Sequence, residues 1–194
     1  YKPIDTANLN ADLNPSENNA LQYELYENAI TVLKNENNIL PIKDLENSKI
    51  AYVKLGDDVN TTFVSTLKKY TEVTEVFDEN IDSLNVKLKE YNTVIVGFHK
   101  DNSTAYKPYK ISQESKDILA ELSKKQNVIL DVFGSPYALK DVDISKISTV
   151  LVSYENNDLS MKASAKALLG KTKISGKLPV IVNENLKAGS GIEK

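Results

Sequence analysis

The 194-residue chain has no cysteine, no tryptophan and one histidine, and every one of its 24 basic residues is a lysine. Each absence excludes something. Without cysteine there is no disulfide framework, no thiolate nucleophile and no thiolate-held metal, and one imidazole is too few for a zinc site. A cysteine-free chain tolerates either redox compartment. Without arginine the sequence lacks the planar fork suited to bidentate capture of carboxylate or phosphate, which argues against a highly anionic ligand. The net charge of -3 and the scattered lysines leave no footprint for nucleic acid and no polybasic face for a membrane surface. No apolar run approaches the roughly 20 residues that span a bilayer, and the first residues are not signal-like. Only seven glycines are present, and the one G-x-G, Gly189 to Gly191, lies in the tail. No dinucleotide turn can be assembled from them, and no cofactor or metal is expected.

What is present suits one compact domain: 41% hydrophobic and 26% charged residues. Residues 1–16, polar and rich in asparagine with two prolines, read as a linker or arm; residues 17–185 read as the domain; 186–194 read as a tail. The chain opens at Tyr1 rather than a methionine, which fits a piece of something longer. Ser16 can cap a helix, and Leu21, Leu25, Ala29 and Val32 recur at near-helical spacing, predicting one amphipathic helix over 17–35.

Six short apolar runs follow: 50–55, 72–77, 93–98, 127–133, 149–154 and 177–182. Several are apolar almost throughout, as strands covered on both faces should be. Stretches with helical spacing lie between them, with Ser112 and Asp158 where N-caps belong and Gly170 where a helix should end. The alternation predicts a three-layer α/β/α sandwich around a mostly parallel, doubly wound (Rossmann-like) sheet of about six strands.

In such a sheet, ligands meet the loops at the carboxyl ends of the strands. "VFGSPY" places Ser135 on a tight turn, but G-x-S-x-G is not met and His99 precedes the serine, so a turn serine is the preferred reading. Asp57, Asp58 and Asp101 suggest a phosphoacceptor receiver, yet no lysine ends the fifth strand, and solvated loop acids account for them as well. Asp101 and Glu155 are the carboxylates that two loops could bring around one sugar. His99, ending a buried strand, reads as a satisfied structural histidine more than a catalytic one.

Three pieces of sequence carry a resemblance. "ENAITVLKNENNILPI" (27–42) resembles the signature that opens the second domain of glycoside hydrolase family 3 enzymes. "VFGSPYAL" (132–139) is similar to that family's Phe-Gly-x-Pro-Tyr turn, and "LLGKTKISGKLPVIV" (168–182) to its closing helix, Gly-Lys-Leu-Pro turn and last strand. The resemblance spans residues 17–185 and implies an α/β sandwich that follows a catalytic TIM barrel in the same polypeptide. In this family the nucleophilic aspartate lies on that barrel. In the β-glucosidase branch the acid/base glutamate comes from the second domain, after a middle strand, but the matching stretch here, "HKDNSTAYKPYK" (99–110), has no glutamate.

That departure points to the β-N-acetylglucosaminidase branch, in which a barrel histidine is the acid/base. The expectation is therefore a noncatalytic carboxyl-side domain, with the barrel as partner and cell-wall or chitin-type sugars as substrate of the whole. His99, Asp101, Tyr106, Tyr154, Glu155 and Asn156 would border the substrate cleft. The alternatives are a β-glucosidase-type domain donating Asp101 or Glu155 as acid/base, and a stand-alone receiver-like or binding module. The wall-sugar substrate suggests an extracytoplasmic bacterial setting.

Overall fold

The computed structural model describes residues 6–57, 62–101, 104, 106, 108–124 and 127–194. Asp58 of the receiver-like reading and the first five residues of the expected arm lie outside the described residues.

Six strands form one sheet: β1 (Thr31–Asn35), β2 (Ile50–Gly56), β3 (Val73–Glu75), β4 (Thr93–His99), β5 (Val128–Phe133) and β6 (Thr149–Val152), in the order β1-β6-β5-β4-β2-β3. All neighbours are parallel except β1, which pairs antiparallel with β6. The order reverses between β2 and β4, which is the switch point of a doubly wound sheet. Side-chain alternation fills both faces. Val53, Val96, Leu130 and Val150 belong to one apolar cluster, and their neighbours Tyr52, Ile95, Ile129 and Leu151 to the other.

The first face is covered by α4 (Ile81–Lys87), through Leu84, and α5 (Gln113–Leu122), through Leu119 and Leu122. The second is covered by α3 (Thr62–Leu67), through Phe63 and Leu67, and α6 (Asp158–Leu168), through Met161, Ala165 and Leu168. Outside α6 lies α2 (Ser16–Ala29), preceded by the short α1 (Leu9–Leu13). Among the described residues, no helix is long and apolar enough to cross a membrane.

Four expectations need correction. The helix over 17–35 stops at Ala29, and TVLKN is a strand. The β-branched run Ile30, Thr31, Val32 is a poor helix former, and pairing with β6 buries it: all three residues are fully buried. Ser16 makes no cap; Pro15 holds the cap position in an extended conformation (φ -64°, ψ 154°). α6 is capped by Asn157 rather than Asp158, its side chain accepting from the N–H groups of Leu159 and Ser160.

The run at 177–182 is not a strand of the sheet. Leu178 and Val182 are buried, but Pro179 offers no N–H to a ladder. The segment bonds instead to residues 186–194, with Leu178 N–H donating to Ser190 O at 2.8 Å and Val182 N–H to Leu186 O at 2.8 Å. Ile174 and Lys194 also exchange backbone hydrogen bonds, and Ile192 bridges β1 at Val32.

Two other sequence signals act as expected. Ser112 caps α5 by accepting from Ser115 N–H. Gly170, at φ +67°, ends α6: its N–H reaches Ala167 O and that of Lys171 reaches Lys166 O, closing the last turn in the Schellman pattern.

Candidate functional site

The carboxyl ends of β2, β4, β5 and β6 meet at one edge of the sheet, and they are joined there by more than strand pairing. Asp57, just past β2, takes the Lys100 ammonium on one carboxylate oxygen at 2.6 Å and the Asp101 N–H on the other at 3.0 Å. Partial burial pulls the Asp57 pKa up, but the Asp101 N–H and the Lys100 ammonium outweigh it and hold the carboxyl below its usual range. Asp57 N–H also donates to His99 O at 2.8 Å. Asp57 thus links the carboxyl ends of β2 and β4 beside the switch point, where a ligand of this sheet class would enter.

His99 is fully buried, and both ring nitrogens are used. Nδ1 lies 2.8 Å from the Asn156 amide oxygen, which can only accept, so Nδ1 carries the proton. Nε2 then accepts from the Tyr52 hydroxyl at 2.6 Å. The imidazole stacks on Phe133 at 4.6 Å with 3° between planes. Burial drives its pKa down to about 4, against a smaller upward pull from Asn156, and nearby Lys54 adds to the fall. At neutral pH it is an uncharged ring with no free nitrogen. Gly97 makes this pocket possible, because a side-chain carbon there would run into the Tyr52 hydroxyl and lie 2.8 Å from Nε2.

Tyr154 turns the chain sharply after β6. At φ +62° it sits in the left-handed region, and Glu155 N–H closes a three-residue turn on Ser153 O at 2.7 Å. This conformation is strained for a non-glycine residue, and its hydroxyl is pinned to Thr31 Oγ1 at 2.8 Å. The turn aims Asn156 inward at His99 and leaves Glu155 half-exposed, with no ion pair to a described residue. Asp101 is half-buried beside Asp57, while Tyr106 is 98% exposed. Tyr109 and Tyr137 approach with ring centroids 6.2 Å apart. Ser135 accepts from Tyr137 N–H and opens a single turn of 3-10 helix through Pro136, so it acts as a turn residue.

Sequence reasoning passed over Asp131. It is fully buried in the middle of β5, and accepts from Ser153 Oγ at 2.7 Å and from Ser164 Oγ of α6. Burial raises its pKa to about 6, against the lowering effect of the two hydroxyls. The signal was available: Asp131 is the only acid inside the apolar run 127–133, and a buried acid needs partners.

The six expected residues therefore divide. His99, Asn156 and Tyr154 are tied into the interior of the edge by side-chain hydrogen bonds, Asp101 and Glu155 are half-buried, and Tyr106 is exposed. Among the described contacts the His99 ring nitrogens meet Tyr52 and Asn156 and no serine or threonine hydroxyl, and the serine hydroxyls on Asp131 are sealed in the interior. Among the described residues, no group of three or more histidine and acidic side chains is placed to hold a metal ion.

The sequence matches the glycosyl hydrolase family 3 C-terminal domain over residues 30–190. No curated protein matches it. Among solved structures, a fungal multi-domain family 3 β-N-acetylglucosaminidase superposes with a TM-score of 0.69 at 22% identity over 87% of this chain. A beta-glucoside phosphorylase, BglX, gives 0.69 at 18% identity over 86%, and a family 3 β-N-acetylglucosaminidase from Paenibacillus sp. str. FPU-7 gives 0.65 at 18% over 94%. These likenesses show the fold. The chain spans 20%, 32% and 35% of the three structures, respectively.

Proposed function

The chain belongs to the glycosyl hydrolase family 3 C-terminal domain family, and on that footing we propose that it is the noncatalytic second domain of a β-N-acetylglucosaminidase, seated on a catalytic barrel of the same polypeptide. One observation carries the reading: the loop after β4, where a sister branch would place its acid/base glutamate, has none between 99 and 110, and its histidine is sealed and neutral. With both nitrogens engaged in the interior, His99 cannot reach a glycosidic oxygen, which fits a proton donor supplied from outside this domain. The domain's part is to hold a fixed polar edge, with Asp101, Tyr106 and Glu155 bordering the cleft of a wall-sugar or chitin-sugar hydrolase. The sugar substrate favours an extracytoplasmic bacterial setting.

Glu155 supports one second reading. A half-exposed carboxylate on a strained turn is what a β-glucosidase-type donor would need. Asp101→Asn and Glu155→Gln in the intact polypeptide separate the two. The proposed function expects kcat to stay within about threefold for both, well short of the ~10²–10⁴-fold that a lost general acid costs. A loss in that larger range, recovered by azide with an activated aryl glycoside, would transfer the acid/base role to this domain.

A further inference from the structure

The helix α2 is apolar on two sides. Tyr23 and Tyr26 pack into the cluster around α6, and Tyr26 Oη accepts from Asn157 Nδ2 at 2.7 Å. At about 100° per residue, Leu21 and Leu25 project roughly opposite that face. They are 56% and 61% exposed, and Leu13 of α1, held beside the start of α2 by Asn18 Nδ2 donating to Leu13 O at 3.1 Å, is 62% exposed. A surface helix normally keeps one apolar stripe and turns polar residues outward. Two opposed stripes imply two neighbours, and among the described residues only the first stripe is covered.

The position and charge of the second stripe say what covers it. The family match begins at residue 30, so α1 and α2 lie on the amino side of the shared module. The structures that carry the module extend far beyond it, this chain spanning 20% and 35% of the two β-N-acetylglucosaminidases. Residues 6–29 contain Asp12, Glu17, Glu24 and Glu27 and no lysine. Two copies docked face to face would oppose like charges, which disfavours self-association. The surface fits a partner that is apolar at the centre and neutral or basic at the rim. The carboxyl end of α2 leads into β1, where Thr31 meets Tyr154 of the candidate edge.

We propose that the outer face of α2, centred on Leu21 and Leu25 with Leu13 beside it, is the seat of the catalytic barrel. The inference rests on the function proposed above and adds the surface through which the two domains are held. The helix is then a shared layer, buried by the sandwich on one side and by the barrel on the other.

The absence of cysteine from the chain supplies a clean test. Leu25→Cys and, as a control on α4, Val86→Cys (Val86 is 60% exposed) are each placed in this chain and in the intact polypeptide. Maleimide labelling of each site is then followed by peptide mass spectrometry. Both sites are exposed, so neither change should disturb folding, and circular dichroism checks this. The expected result is labelling at Leu25→Cys slowed by about tenfold or more in the intact polypeptide, with Val86→Cys unchanged, since access limits attack by the thiolate. Equal rates at Leu25→Cys in both contexts would overturn the proposal, and so would equal slowing at both sites. Slowing that grows with concentration in this chain alone would also overturn it, by making a second copy the occupant. Aryl glycoside hydrolysis by the same intact polypeptide reports separately on the proposed function, so failure of the docking face and failure of the glycosidase reading are distinguishable.

Discussion

At the scale of single residues, the interior of the carboxyl edge holds two titratable groups whose shifts oppose each other. His99 is neutral in the fold down to about pH 4, whereas in the unfolded chain it takes a proton near its ordinary 6.5. The unfolded state therefore binds more protons between those values, and this residue withdraws stability as pH falls from 6.5 to 4. Asp131 does the reverse. Its carboxyl is protonated in the fold below about 6 and in the unfolded chain only below 3.8, so it adds stability as pH falls from 6 toward 3.8. The two slopes offset over most of the window. Asp131→Asn removes one of them, and its stability, followed by urea midpoints, should drop by about 3 kcal/mol between pH 6.5 and 4. The unaltered chain should lose much less. Parallel profiles would show that the burial of one group does not set its protonation.

At the scale of elements, the Leu-Lys-Asn turn before the Leu-Pro pair has a mechanical explanation. The Asn35 amide donates to Leu40 O and accepts from Leu40 N–H, both at 3.0 Å, bridging the turn at Glu36–Asn38. Asn37 and Asn38 take positive φ, which asparagine tolerates. The clamp delivers Leu40 and Ile42 to the core, and Ile42 N–H donates to Leu168 O. Asn35→Ala strands both Leu40 groups and should cost about 1–3 kcal/mol, read as a fall in the urea midpoint at unchanged m value. An unaltered midpoint would mean that the turn is held by its neighbours alone.

The elements also show what sequence could and could not reveal. β2, β4, β5 and β6 were legible because strands buried on both faces leave unbroken apolar runs. β1 was hidden because Ala29 and Val32 continue the helical spacing of α2. What makes TVLKN a strand is β6, which lies more than a hundred residues away. The run at 177–182 misled in the opposite sense, since Leu178 and Val182 are buried by a chain reversal rather than by the sheet. Within the edge, the polar loop residues were visible as candidates. Their division into scaffold and surface was not, because the Tyr52, His99 and Asn156 chain joins three separate stretches and depends on the register between β2 and β4.

At the scale of the whole molecule, the described residues form one sheet with an apolar layer on each face, and the function proposed above assigns the chemistry to a neighbour. Asp57 and Lys100 pair across the switch point of the sheet, the histidine is internal, and the exposed apolar stripe lies on the amino side of the family module. These features fit a domain whose chemistry is supplied by a neighbour. The most direct measurement is hydrolysis of an aryl N-acetyl-β-glucosaminide and an aryl β-glucoside by this chain and by the intact polypeptide, side by side. The account expects turnover by the intact polypeptide alone, with preference for the acetamido sugar. Turnover of either substrate by the 194-residue chain would contradict it, because a complete catalytic site would then reside in this domain.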